Sequence, residues 1–468
     1  FTVHPAVLDV GLQVTLCAIG APFDSRLWTL HVPTVIRRIK INPMVCPAEG
    51  GRGSEVLANS VLAKQEAGDH GFTGDLSIYD PTGANCFVQL EGVRVEALAR
   101  PNKASDRHMF AESAWSVLEP NAATCFKETR ETDDQRNLSM LVERACFFYL
   151  KQLHETITLE EREGCDADRL AILNWAKHLV ETTAEGSHPH LQSEWLADTE
   201  SSLKPLLLSA AETSDDMHKV MFAGEILIPF VRDEANMLEE FKNHSLLDWF
   251  YKSSTVIADY NACMGAVVKQ LAHRFPYMKI LEIGAGTGSA TQSIVEQIGE
   301  SYSSYTYTDI SAGFFSDAAQ LFKEHGHGFT YKVLDIEQDV VEQGFTEGTY
   351  DCVVASNVLH ATKSLDQTLS NARKLLKPGG YLVMLEITQI EWLRTGLFFS
   401  CIPGWWAGVE DGRPYTPLAT ETQWDSAFRR TGFSGIDTAT PSDKTIMGPY
   451  SVMVTQALDT RMEIMRTP

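Results

Sequence analysis

Lys279-Ile-Leu-Glu-Ile-Gly-Ala-Gly-Thr-Gly-Ser289 joins a short apolar run to a glycine loop. The apolar part reads as a buried parallel strand. Ser289 to Gly299 reads as a helix with Ile294, Val295 and Ile298 on one side. Strand, tight glycine turn and helix form a nucleotide-cradling corner. Gly284, Gly286 and Gly288 let backbone approach a ligand with no Cβ between. Their spacing departs from G-x-G-x-x-G, because the third glycine arrives one residue early. Taken alone, the three glycines fit a purely structural turn equally well.

The downstream strands favour a ligand. Ser304-Tyr-Thr-Tyr-Thr308 alternates like a strand and ends at Asp309, 27 residues after Glu282. A second strand there brings an acid to ribose hydroxyls. Phe329 to Leu334 reads as a third strand ending in Asp335-Ile336, and Tyr350 to Ser356 as a fourth ending at Asn357. Gly380 to Glu386 reads as a fifth, after a helix stop at Lys377-Pro-Gly-Gly380. Strands alternating with helices predict a doubly wound parallel sheet. Ligands on such sheets sit outside the carboxyl ends of the strands. Glu282, Asp309, Asp335, Asn357, His360 and Glu386 all lie at or just past those ends.

A chain of 468 residues predicts two or three domains. The formal net charge of -23 argues against a nucleic-acid surface, which needs clustered Lys and Arg, and against a membrane surface. Arg37-Arg38-Ile-Lys40 and Arg429-Arg430 are local basic spots, read either as solvated surface or as contacts for an acidic carrier. The nine cysteines are scattered with no C-x-x-C, so neither a metal site nor a disulfide framework is expected. A reduced, cytoplasmic setting fits, with no signal peptide or membrane-length apolar run. Leu98 to Ala123 lacks periodicity and reads as a connector. From Arg136 to Arg274 the pattern is helical, with Leu138, Leu141, Val142, Ala145, Tyr149 and Leu153 at steps of three and four. This predicts an all-helical cap, either closing over a ligand or serving as a platform, since helical stripes report burial and not chemistry.

The Glu-Ile-Gly-Ala-Gly-Thr-Gly loop, the Asp309 ending and Leu376-Lys-Pro-Gly-Gly380 resemble the class I S-adenosylmethionine-dependent methyltransferases. Ala355-Ser-Asn-Val-Leu-His-Ala-Thr362, Leu385-Glu-Ile-Thr388, Pro403-Gly-Trp-Trp-Ala-Gly-Val-Glu-Asp-Gly-Arg413 and Gly432-Phe-Ser-Gly435 narrow the likeness. They resemble the C-methyltransferase domain of fungal highly reducing iterative type I polyketide synthases, the lovastatin-synthase type. This resemblance runs from about residue 120 to the end. A second one lies at the start. His4-Pro-Ala-Val-Leu-Asp9-Val-Gly-Leu-Gln13 resembles the dehydratase signature of the same synthases, and Asp9 and Gln13 share a helix face. Strand-like runs come next, at Leu30–Ile36, Glu55–Gln65, Phe72–Tyr79 and Cys86–Leu90.

The resemblances imply an α+β hotdog, the C-terminal half of a dehydratase, over residues 1–97, with Asp9 and Gln13 as a half-site. The partner histidine is absent, so the chain reads as an excised fragment. They imply a linker at 98–123, a helical cap at 124–274 and an α/β Rossmann-like S-adenosylmethionine-binding domain at 275–468. The implied reaction methylates the α-carbon of a β-ketoacyl chain on the phosphopantetheine of an acyl carrier protein. Other domains of a homodimeric synthase would be the further partners.

An imidazole, with an unperturbed pKa of ~6.5, suits removal of a proton flanked by two carbonyls. In the family a His–Glu pair at the positions of His360 and Glu386 is the catalytic dyad. Glu282 and the loop glycines would hold the amino-acid end of the cofactor, and Asp309 the ribose. Asp335 would accept from the adenine amino group with Ile336 on the ring, or cap the Glu337 segment. Asn357 would serve cofactor or substrate. Phe314 and Phe315 fit the adenine side or the core, Trp405 and Trp406 an acyl pocket or the core, and Tyr251 or Tyr260 a hydroxyl near the thioester. Two alternatives stand beside this: an O-methyltransferase acting on a small natural product, and a degenerate methyltransferase kept as scaffold.

Overall fold

His4 starts the first helix. Its Nδ1 accepts the Ala6 N–H at 3.2 Å, and Pro5 occupies the first turn, where no N–H is needed. The computed structural model describes residues 2–20, 30–47, 55–63, 71–98, 115–127, 131–236, 239–240, 255–325, 328–441, 446 and 448–459. They divide into two compact units, Phe1–Trp115 and Ser116–Pro468.

In the first unit helix α1 (Pro5–Ile19) lies on an antiparallel sheet of β1 (His31–Ile41), β2 (Leu57–Leu62), β3 (Gly71–Tyr79) and β4 (Cys86–Ala97), ordered β1-β4-β3-β2. Val7 and Ile19 pack on Leu76, Ile78, Phe87, Leu90, Val93 and Val95. Gly11 permits this, since a Cβ there would stand 2.8 Å from Ile78 Cδ1. A helix on an antiparallel sheet is the hotdog arrangement expected. β1 and β4 run five and seven residues past the expected ends at Ile36 and Leu90. The added part of β1 is an exposed edge with charges on it, so its ladder with β4 carries no apolar period to read.

The second unit begins with the turn α2 (Ala122–Cys125), whose Asn121 and Ala122 N–H groups donate to Gln270 and Thr438 side chains at 2.7 and 3.1 Å. The last residues of the expected 98–123 connector therefore pack into this unit. Next come helices α3 (Asp133–Thr156), α4 (Leu159–Glu163), α5 (Ala167–Ala184), α6 (Glu200–Ala211), α7 (Asp215–Val231) and α8 (Thr255–Arg274). Tyr251 lies outside the described residues.

The sheet comprises β5 (Lys279–Ile283), β6 (Ser304–Asp309), β7 (Phe329–Val333), β8 (Tyr350–Ser356), β9 (Leu376–Ile387), β10 (Thr438–Ala439) and β11 (Tyr450–Gln456), ordered β10-β11-β9-β8-β5-β6-β7. β5 to β9 pair in parallel, and β11 runs antiparallel to β9. The five expected strands are the parallel ones, and β10 and β11 add an antiparallel edge that was not among them. The fifth strand also starts earlier than Gly380. Its helix stops at Leu375, because the residues before Pro378 favour extended backbone.

Helices α9 (Ser289–Ile298), α10 (Phe315–Leu321), α11 (Leu365–Leu375), α12 (Leu393–Phe399) and α13 (Glu421–Arg430) complete the layers. One sheet face is covered by α11 and α13 through Leu369, Leu375, Trp424 and Phe428. The other face shares one core with α8, α9 and the cap, from Phe147 and Leu227 through Val267 to Tyr305 and Val383. Glu143 of α3 fastens the cap to α12, the helix that follows β9. Fully buried, it accepts the Leu393 N–H at 2.6 Å and Arg394 Nε–H at 3.0 Å.

Candidate active site

The loop after β5 turns through left-handed backbone at Gly284 (φ 62°), Gly286 (φ 55°) and Gly288 (φ 81°). A Cβ on Gly284 would lie 2.3 Å from Val358 Cγ2, so the loop can touch the turn after β8 only as glycine. β6 straps the loop down. Asp309 Oδ2 accepts the Gly286 N–H at 2.9 Å, and Tyr307 donates to the Gly286 carbonyl at 2.7 Å. Beneath it Glu282 Oε2 accepts from Thr291 at 2.7 Å and Tyr305 at 2.6 Å. Burial pushes the Glu282 carboxyl up to about 7, against the pull of those two hydroxyls.

Above the strand ends lies a cleft of about 400 Å³, whose walls include Glu282, Gly284, Gly286, Asp309, Asp335, Ile336 and Asn357. Gly288 is not in the wall. It caps α9, and its missing side chain leaves room for Phe322, 2.9 Å from the Cβ position. Asp335 both lines the cleft and closes a turn by accepting the Glu337 N–H at 2.9 Å, with no helix after it. Phe314 lines the cleft, while Phe315 packs among Tyr307 and Tyr331. Tyr260 belongs to the core, with its hydroxyl donating to the Gly448 carbonyl at 3.3 Å and its ring on Phe126 and Tyr450.

His360 sits in the turn Leu359–Ala361 after β8. The Asn357 N–H donates to the Leu385 carbonyl at 2.7 Å, which brings Glu386 of β9 against that turn. Glu386 Oε1 accepts the N–H groups of Leu359 at 2.9 Å and Val358 at 3.3 Å. Its Oε2 stands 2.5 Å from His360 Nδ1. An ionised Glu386 can only accept, so Nδ1 is the donor of that contact, and a neutral imidazole then keeps a lone pair on Nε2. The His360 side chain is 8 % exposed, and Nε2 has no hydrogen-bond partner among the described residues. The ring itself is outside the cleft wall. Along the chain His360 is flanked by the cleft residues Asn357, Val358, Ala361 and Thr362, and Trp405 stands edge-on to its ring at 6.2 Å. Trp406 is buried against Trp175, with its Nε1–H on the Ser400 carbonyl.

Residues 281–382 match the family model described as "Methyltransferase domain", and residues 1–105 that described as "Polyketide synthase dehydratase N-terminal domain". The "Hybrid PKS-NRPS synthetase buaA" of Petromyces alliaceus is 48% identical over 467 residues. The chain belongs to the dehydratase–methyltransferase region of polyketide synthases.

That likeness covers 100% of this chain and 12% of the relative, so the chain spans about an eighth of that synthase's length. Among solved structures, the methyltransferase unit is similar to "SeMet-Substituted CurJ carbon methyltransferase", with TM-score 0.58, 26% identity and 72% and 96% of the two chains covered. It is also similar to "trans-methyltransferase CalH complex with SAH", with TM-score 0.56, 25% identity and 70% and 92% covered. The dehydratase family model is that of an N-terminal domain, whereas the Asp9–Gln13 motif points to the second half. Asp9 and Gln13 share an exposed face of α1, with Gln13 Nε2 donating to Asp9 Oδ2 at 3.0 Å. No described helix of the methyltransferase–dehydratase chain is long and apolar enough to cross a membrane. Among the described residues no three His, Cys, Asp or Glu side chains are grouped to hold a metal.

Two polar features of the methyltransferase cleft are not apparent from sequence. Asn261 of α8 is buried, donating to Ser289 Oγ at 3.2 Å and accepting from Ser356 Oγ at 3.4 Å. An asparagine on the apolar stripe of a helix was the available signal. The second is the state of Asn357. It has left-handed backbone (φ 52°), and its Oδ1 is a buried acceptor with no hydrogen-bond partner among the described residues. With the Glu282 carboxylate, that acceptor suits the cleft to a ligand with a cationic head.

Proposed function

We propose that the methyltransferase unit moves a methyl group from S-adenosylmethionine to the α-carbon of a β-ketoacyl thioester. The thioester is carried on the phosphopantetheine of an acyl carrier protein in a cytoplasmic, homodimeric synthase. The observation that carries this is the His360–Glu386 pair, 2.5 Å apart, at adjoining strand ends beside the glycine-loop cleft. The neighbour solved with SAH supports the cofactor, and the one titled a carbon methyltransferase supports carbon as acceptor.

When bound, S-adenosylmethionine supplies an electrophilic methyl on a sulfonium. The residues present fit it. Asn357 Oδ1 and the Glu282 carboxylate would face the ammonium of its amino-acid end, Asp309 its ribose, and Asp335 with Ile336 its adenine. His360 Nε2 takes the proton from the substrate α-carbon, which leaves an enolate. The resulting imidazolium is buried, and the Glu386 carboxylate neutralises it in place. The two backbone donors on Oε1 keep that carboxylate from rotating away. In the first unit Asp9 and Gln13 are read as a dehydratase half-site completed from elsewhere in the synthase.

Incubation with methyl-labelled cofactor and a β-ketoacyl-pantetheine thioester is expected to put label on the α-carbon, as located by mass spectrometry. Label on oxygen would establish the O-methyltransferase instead, and no heat of cofactor binding would leave a scaffold.

Glu282 adds a pH signature. Its carboxyl titrates near 7, so it is neutral below and anionic above. Cofactor affinity, measured by calorimetry, should rise between pH 6 and 8, roughly one unit either side of that value. Glu282→Gln should flatten the slope and weaken binding at the upper end.

A further inference from the structure

The Pro403–Arg413 motif lies outside the cleft wall, yet its last residue reaches the turn that bears His360. Arg413 is 6 % exposed; its two Nη groups donate to main-chain carbonyls, while its Nε is buried with no hydrogen-bond partner among the described residues. Nη1 donates to the His360 carbonyl at 2.8 Å and the Pro417 carbonyl at 2.6 Å, and Nη2 to the Thr362 carbonyl at 2.6 Å. Asp411 Oδ2 lies 3.3 Å from Nη2 and also accepts the Leu365 N–H at 3.1 Å, at the start of the next helix. The turn is thus gripped on both sides. Glu386 holds its N–H groups, and Arg413 holds its carbonyls. Gly408 completes the seat, since a Cβ there would stand 2.5 Å from Arg413 Cζ while its φ of -84° suits any residue.

We propose that Arg413 is a positioning residue for methyl transfer. It holds the carbonyls of His360 and Thr362, and so sets the heading of the imidazole, without touching substrate or cofactor. The proposal rests on reading His360 as the base. A guanidinium offers donors in one rigid plane, so two carbonyls of one turn fix that turn's orientation. Lysine would keep the charge and lose the plane. Displacing a reacting group by about 1 Å costs about 10²-fold in rate.

The test compares the full chain with Arg413→Lys, Arg413→Met and Gly408→Ala. Turnover of a β-ketoacyl-pantetheine thioester, the KM for it, and the affinity for S-adenosylhomocysteine are measured together. Arg413→Met is expected to lose about 10²-fold in kcat with KM and cofactor affinity kept. Arg413→Lys should fall between it and the wild type. Gly408→Ala, which displaces the guanidinium without removing it, should fall in the same sense. Wild-type kcat in Arg413→Met and Gly408→Ala overturns the proposal. A matching loss of cofactor affinity and melting temperature also overturns it, by making Arg413 a general prop of the fold.

A second readout needs no turnover. The imidazole NMR signal of His360, assigned by its disappearance in His360→Asn, should shift in Arg413→Met. If the wild-type chain methylates nothing, the reading of His360 as base fails, while this signal still judges the clamp. An unmoved signal overturns it.

Discussion

Glu386→Gln is expected to lower kcat for methyl transfer by about 10³- to 10⁴-fold, the scale seen when an orienting carboxylate is amidated in a His-centred triad. The reason lies in the bonding of a fully buried side chain. Glu386 accepts on both oxygens, from the Val358 and Leu359 N–H groups on one and toward His360 Nδ1 on the other. Glutamine has the same shape but one acceptor. Its carbonyl can serve the two N–H groups, and its NH₂ must then face Nδ1. The imidazole can meet a donor there only by moving its proton to Nε2, which abolishes the lone pair proposed to take the substrate proton. Cofactor affinity should stay near wild type, because Glu386 does not line the cleft. Glu386→Ala is a poorer probe. It leaves two buried N–H groups without an acceptor, at about 1–3 kcal/mol each, and so mixes stability with chemistry. An unchanged turnover in Glu386→Gln rejects the orienting role.

His360→Asn should lose methyl transfer by at least about 10²- to 10⁴-fold, the usual contribution of a positioned general base. Cofactor binding is expected to persist, since the ring stands outside the cleft wall while its neighbours form it. Asparagine is preferred to alanine for a physical reason. Its amide nitrogen falls where Nδ1 stood and can still donate to Glu386 Oε2, whereas the atom corresponding to Nε2 is gone. His360→Ala would leave the buried Glu386 Oε2 without its donor, at about 1–3 kcal/mol or more for a charged group, and can fail by unfolding. Calorimetry with S-adenosylhomocysteine, a melting curve and the labelled-methyl assay separate these outcomes. Turnover retained by a folded His360→Asn protein removes the base.

The strand ends that build the cleft were legible because their signals are local. A glycine triplet after Glu282-Ile283, an acid ending β6 and the Asn357–His360 turn ending β8 each come after a short run that reads as a strand, apolar in β5 and β8 and alternating Tyr and Thr in β6. Features set by distant partners were not legible. Tyr450–Gln456 slips antiparallel beside β9, and nothing in its own apolar pattern states its direction or neighbour. Gly288 reads as a cleft glycine until Phe322, 34 residues on, is seen filling the space beneath it. Tyr260 carries a hydroxyl at a plausible distance along the chain, but Gly448 consumes it. Asn261 and Arg413 gain meaning only through atoms far away in sequence.

By itself the order of residues determined that this chain holds a helix-on-sheet segment ahead of a Rossmann-like α/β sheet, and which acids and which histidine end its strands. Backbone periodicity and glycine geometry act over a few residues, so they survive in one dimension. The tertiary structure alone decided that Oε2 of Glu386 meets Nδ1 of His360, that Arg413 grips the same turn from the other side, and that the cap shares its core with the sheet. Those are contacts between side chains and carbonyls 26, 53 and more residues apart, brought to hydrogen-bond distance by burying apolar surface.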